Sequence, residues 1–164
     1  MKPDRAIESR SLFRPIALLW AGAVIGGSLI AAPAKFQVEE LTLSVALEVG
    51  RVQFTWLAIA ELTLVGLAVF AHVFAGNRRV ELRRWPSALF AVAIAIFAVQ
   101  QLALMPQLHA RSLRIIAGES VPESGLHLVY VVVECIKVIV LLSIGFQHDL
   151  TKLMWPRELD RDRR

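Results

Sequence analysis

Residues Leu126 to Phe146 read LHLVYVVVECIKVIVLLSIGF. As a helix rising about 1.5 Å per residue, this stretch is long and apolar enough to cross about 30 Å of hydrocarbon. It nevertheless carries His127, Tyr130, Glu134 and Lys137. Their spacings of three, four and three place all four on one helical stripe. Ionisable groups facing lipid are costly, so the stripe should face protein or water inside a bundle of further helices.

The rest of the chain supplies those helices. Its 164 residues are 56% hydrophobic with a mean hydropathy of +0.58, too apolar for an ordinary soluble domain. The apolar residues form four blocks of roughly 19 to 23 residues, each of spanning length. One membrane domain over residues 15–146 therefore uses nearly the whole chain. It is flanked by an N-terminal tail (1–14) and a charged C-terminal tail (147–164). The net charge of +4 and pI near 9.8 do not point to nucleic acid. The basic residues flank the apolar blocks, where they act as topology signals, and no aromatic and basic residues interleave on a surface for single strands. The single cysteine, Cys135, lies inside the last span, so no intrachain disulfide forms.

The first span covers about residues 15–34. Pro15 suits a first helical turn, where its missing N–H costs nothing. Gly22 and Gly26 form a GxxxG, and Ala23, Gly27 and Ala31 a parallel small-residue row, predicting close helix packing through Gly22, Gly26 and Gly27. A basic head, an apolar core and Ala32-Pro33-Ala34 also resemble a secretory signal with a cleavage site. The core exceeds the usual length of such signals, so the segment is read as a retained span.

Pro33 is expected to weaken or end this helix. The amphipathic stretch 38–52 should extend the second span (54–76) past the bilayer, with Trp56 at one interface and Trp85, opening the third span (85–105), at the other. Between spans three and four, Leu113, Ile115 and Ile116 predict a short surface helix ended by Gly118. Ser120 and Glu123 have capping-box spacing ahead of the last span (126–146). Thirteen lysines and arginines lie in the two tails and the central loop 77–84, against four (Lys35, Arg51, Arg111, Arg114) in the other two loops. The positive-inside rule then makes both termini cytoplasmic.

With that topology each intramembrane polar residue acquires a depth. Glu61 lies roughly 10 Å and Glu134 roughly 12 Å below the outer boundary, and Gln100 and Gln101 about 6 to 8 Å below it. Lys137 sits near the midplane. A polar layer of Glu61, Gln100, Gln101, Tyr130, Glu134 and Lys137 is expected in the outer half. Lys137 is one turn from Glu134, and Glu61 needs either a donor among Gln100, Gln101, Tyr130 and Lys137 or a bound proton. The layer is either a static clasp that fixes helix register or a water-accessible pocket for a proton, ion or small polar ligand.

His109, His127 and Met105, with Glu48 or Glu123 nearby, form a candidate copper or zinc set on the outer side. A haem b would need two axial histidines at one depth; His72 and His127 are at opposite faces, which leaves only His72 with His148. No Ser-His-Asp set, phosphate loop or HExxH motif is present, so no enzyme is expected.

The segments GAVIGGSLIAAPAKF, EVGRVQF and SGLHLVYVVVECIK resemble the poorly characterised bacterial four-helix membrane proteins related to the copper-resistance D type. The resemblance covers about residues 20–146 and rests on Pro33, Phe36, Gly50, Arg51, His127, Tyr130, Glu134 and Lys137. It implies a compact four-helix bundle in the bacterial inner membrane. Copper handling belongs to one branch of that wider group, whereas this chain lacks Met- or His-rich clusters.

The sequence thus predicts an all-α transmembrane four-helix bundle, N-in and C-in. Its expected role is that of a small integral membrane protein acting through helix packing, a membrane partner or a homo-oligomer. The alternative is a transport-like or metal-handling bundle that uses the polar layer.

Overall fold

A computed structural model describes the backbone over residues 5–75 and 84–154 and side chains over 14–71 and 88–146. The central basic loop, Trp85, His72, His148 and most of the tail charges counted for orientation lie outside the described side chains. The described residues are mostly helical, with no strand among them. Four helices are long and apolar enough to cross a membrane.

The first helix begins over Arg5–Val24, widens into a π-helix over Ile25–Ala31, resumes as α over Ala32–Ala34 and closes as a 3-10 turn over Lys35–Gln37. Pro33 therefore does not end the helix. Proline lacks an N–H and its ring clashes with the carbonyl four residues earlier, which here is Leu29. That carbonyl lies inside the π segment, whose wider turn leaves room for the ring. The third helix repeats the device. Arg84–Val99 leads into a π-helix over Gln100–Leu104, and Met105–Ile116 continues beyond Pro106. The expected separate surface helix is thus the continuation of span three. Gly118 ends it as expected, at φ +82°, with Glu119 N–H donating to Arg114 C=O and Gly118 N–H to Ile115 C=O, both at 3.0 Å. A Cβ in this left-handed conformation costs about 1–2 kcal/mol. Gly118→Ala should lower stability by about that amount in a thermal unfolding measurement, and an unchanged midpoint would contradict the cap.

The second helix is unbroken over Leu43–Ala75. Thr42 caps it, accepting the Val45 N–H on its hydroxyl (3.4 Å) and the Ala46 N–H on its carbonyl (2.9 Å). Its 33 residues extend about 50 Å, more than the hydrocarbon requires. The fourth helix runs over Leu126–Met154. Its first bond, Val129 N–H to Gly125 C=O, makes Gly125 the N-cap, so Ser120 and Glu123 lie outside the helix start and do not form its capping box.

Packing is inverted relative to a soluble protein. Leu19, Trp56, Leu102, Leu128 and Ile139 are all more than 60% exposed, while Glu61, Gln100, Glu134 and Lys137 are at most 1% exposed. The first helix packs on the second and fourth, the fourth on the third, and the second meets the third mainly through Met105–Ile116. Three layers stack along the bundle. At the end where Arg14 Nε donates to Gly145 C=O (2.9 Å), an apolar core joins Trp20, Val24, Leu64, Phe97, Leu141 and Ile144. Ala17, Ala21, Ala68 and Ala93 bring the backbones close there. A charged layer follows. A cavity occupies the other end, where the loops join the helices.

Gly27 does pack closely, since a Cβ there would lie 3.3 Å from Leu57. Gly22 and Gly26 meet nothing within 4 Å, so their GxxxG has no partner among the described residues.

Candidate functional site: a charged layer beneath a basic cavity

Lys137, from the fourth helix, is the centre of the charged layer. Its ammonium carries three N–H donors and no acceptor. Its Nζ donates to Glu61 Oε2 (2.5 Å) and Gln100 Oε1 (2.8 Å), and pairs with Glu134 Oε2 at 3.0 Å. Three of the four helices therefore contribute one acceptor or more to a single cation. The Phe97 ring lies beneath the same ammonium, 5.7 Å from Nζ to the centroid.

Each partner is held in turn. Gln100 accepts from Lys137 on Oε1 and donates through Nε2 to Glu134 Oε2, which fixes the orientation of its amide. Tyr130 Oη–H donates to Glu134 Oε1 at 3.4 Å. The first helix, the one remaining, enters through Trp20, whose Nε1–H donates to Glu61 Oε2 at 2.6 Å. Two carboxylates face one ammonium, and the neutral Trp20, Gln100 and Tyr130 donors satisfy further carboxylate oxygen lone pairs. One buried oxygen, Glu61 Oε1, has no partner.

Of the six residues expected in a polar layer, five meet here. Gln101 does not: it is half-buried, and none of the layer's hydrogen bonds involves it. The π segment opening at Gln100 sets which of the two amides points inward. Trp20 carries no mark in the sequence, because a tryptophan within two turns of a span end ordinarily reads as an interface residue.

The cavity is a separate space of about 400 Å³, lined by side chains from all four helices. Glu61, Gln100, Glu134 and Lys137 do not line it. Tyr130 joins the two, with its ring on the cavity wall and its hydroxyl on Glu134. Phe54 stands edge-on to that ring, 5.7 Å between centroids. Leu29, Leu47, Leu108 and Val131 make most of the wall apolar.

The polar groups of the cavity share one character. Lys35, Arg51, His109 and His127 line it, together with the Ser28 and Ser112 hydroxyls, and no carboxylate does. Lys35 Nζ donates to Gln53 Oε1 (3.3 Å) and lies 5.4 and 5.7 Å from the Phe36 and Phe54 ring centres. Gln53 is held by donating to the Gly27 carbonyl in the π segment (2.5 Å). Gly50 makes room for Lys35: a Cβ there would collide with Nζ. Arg51 and His109 face each other closely enough to interact electrostatically. Arg51 Nε and His109 Nε2 are both buried and have no hydrogen-bond partner.

The metal candidates His109, His127 and Met105 do line this one cavity. Among the described residues, however, no three His, Cys, Asp or Glu side chains gather closely enough to hold a metal ion. Lys35, which reads in the sequence only as a loop charge, and Arg51, read as a loop charge and a residue of the resemblance, both belong to the cavity's wall. No protein-family model matches the chain, and no curated protein or solved structure shows significant similarity to it.

Proposed function

We propose that this chain is a non-enzymatic, multi-pass protein of the bacterial inner membrane that receives a small ligand in the cavity at its loop end. Both termini are cytoplasmic in this reading, as the lysine and arginine distribution favours, so the cavity faces outward. The observation that carries the proposal is the cavity itself. It is lined by all four helices, it falls in the size range of small-molecule sites, and it combines an apolar wall with a few convergent polar groups.

The charged layer is the fixed floor of that site. Its exposure of 1% or less and its near-complete pairing support a static clasp, and give no support to an ion path through Glu61 and Lys137. Metal handling through His109, His127 and Met105 is the less favoured form of the proposal, since among the described residues no third His, Cys, Asp or Glu side chain joins the histidines. Purified protein analysed for copper, zinc and iron, and for haem by its absorption, tests that form.

Thiol labelling tests the main reading. In a Cys135→Ala background, Ser112→Cys should react with a membrane-impermeant maleimide added outside the cell membrane. Labelling only from the cytoplasmic side would reverse the orientation, and no labelling from either side would reject an open cavity. Intact-mass measurement should find residues 1–34 retained, because their loss would remove Trp20 and Ser28 from the two layers.

The uncovered Gly22 and Gly26 favour a second reading, in which a partner helix or a second copy packs on the first helix. Energy transfer between labelled copies in vesicles should then fall on Gly22→Leu, and an unchanged signal would reject it.

A further inference from the structure

The charge and the unpaired donors of the cavity narrow the ligand's chemistry. Buried polar atoms in folded proteins nearly always have partners, and each exception calls for an explanation. Here two such atoms, Arg51 Nε and His109 Nε2, belong to neighbouring side chains lining one cavity. Both are nitrogens: guanidinium nitrogens only donate, and the imidazole donates from Nε2 in one tautomer and when charged. Lys35 and Arg51 bring two formal positive charges to the wall, and no Asp or Glu lines it to neutralise them. Packing like charges around an apolar space is unfavourable unless an anion enters between them. The same wall carries Leu29, Leu47, Phe54, Leu108 and Val131, which offer nothing to a hydrated inorganic ion.

Resting on the reading of the cavity as a binding site, we propose that its ligand is an anionic amphiphile: one carboxylate, phosphate or sulfonate head on a compact apolar body. The head sits against Arg51, His109 and Lys35, with the Ser112 hydroxyl beside them. The apolar body packs on the Phe54 and Tyr130 rings and the leucines. A cation is repelled by this wall, and a neutral body of the same shape gains the apolar contacts alone. The anionic head has two sources, a soluble organic acid or the headgroup of an anionic lipid whose chain reaches the cavity.

A matched series separates these terms. Naphthoate, naphthylmethanol and naphthylmethylammonium share one apolar body and differ in charge. Each is titrated calorimetrically into the full chain in phosphatidylcholine nanodiscs, with empty nanodiscs subtracted. Naphthoate should bind about ten- to a hundredfold more tightly than the alcohol, the range for hydrogen bonds to a charged group, and the ammonium compound should bind most weakly. Arg51→Gln and, separately, His109→Gln should remove most of the preference for naphthoate while lowering the affinity for the alcohol far less. Retained alcohol binding shows that the cavity still forms in the variants. If the wild type binds naphthoate and the alcohol equally, the anionic assignment is overturned and the cavity remains a binding site. If none of the three binds, both readings fall. If Arg51→Gln keeps its preference for naphthoate, the assignment to this wall is wrong. Repeating the titration with phosphatidylglycerol in the nanodiscs, at salt high enough to screen the surface potential, identifies the source. Competition marks the lipid headgroup, and unchanged affinity marks a soluble acid.

Discussion

Replacing Lys137 with methionine is expected to be the most damaging single change among the described residues. The substitution keeps an unbranched side chain of similar length and removes only the ammonium. Glu61 and Glu134 would then lie at 1% exposure or less with no cation within reach. Breaking a buried ion pair by removing one partner costs about 3–5 kcal/mol, because the surviving charge is left uncompensated. Here one substitution strands two charges. The Trp20, Gln100 and Tyr130 donors carry no net charge, so they cannot replace the ammonium. Denaturant-driven unfolding in mixed micelles should show the loss as a lower midpoint.

The same argument makes a prediction of opposite sign. Buried ion clusters can often be replaced by uncharged groups of matching shape at little cost, even though breaking them is expensive. In the triple variant Glu61→Gln, Glu134→Gln, Lys137→Met, residue 61 can still accept from Trp20. Residue 134 can still accept from Gln100 and Tyr130. The triple variant should therefore be more stable than Lys137→Met alone. If Lys137→Met unfolds at the wild-type midpoint, or if the triple variant is the worse of the two, the layer is not held by charge pairing.

How much of this was legible in the sequence follows from the physics of each signal. The four spans were readable because hydrocarbon thickness demands uninterrupted apolar length, which a block pattern reveals directly. Glu61, Glu134 and Lys137 were readable because charge in lipid is costly enough to force convergence. Choosing between Gln100 and Gln101 was not possible from periodicity. The π segment shifts the helical phase at that point, and Pro106, whose ring its wider turn accommodates, lies several residues downstream. For Pro33 the sequence shows the ring clash that weakens the helix, but not the widened turn that carries the chain past it to Gln37. Lys35 and Arg51 read as topology charges, because their convergence depends on which helices are neighbours. The cavity itself is a property of the packed bundle, and no single helix carries its signature. Trp20 is the clearest omission, since its role depends on a carboxylate 41 residues away.

That omission supplies the second large prediction. Trp20 is fully buried, stands edge-on to Phe97 at 6.2 Å, and is, among the described residues, the one donor to Glu61 besides Lys137. Trp20→Ala removes both packing and donor, and buried Trp→Ala changes cost about 3–5 kcal/mol. Trp20→Phe separates the two contributions, because the ring contact with Phe97 persists while Nε1–H is lost. A hydrogen bond to a charged group is worth about 1.5–3 kcal/mol, so Trp20→Phe should retain roughly half of the lost stability. The cause can be isolated with Glu61→Gln, which leaves an acceptor but no charge. If Trp20 acts on the Glu61 carboxylate, Trp20→Phe must cost less in the Glu61→Gln background than in the wild type. Pairs in direct contact show coupling of about 0.5–3 kcal/mol, and independent sites add to within about 0.5 kcal/mol. Additive losses would reduce Trp20 to a space-filling residue and leave Glu61 dependent on Lys137 alone. Measurable coupling would tie the first helix to the charged layer, so that all four helices meet on one buried network.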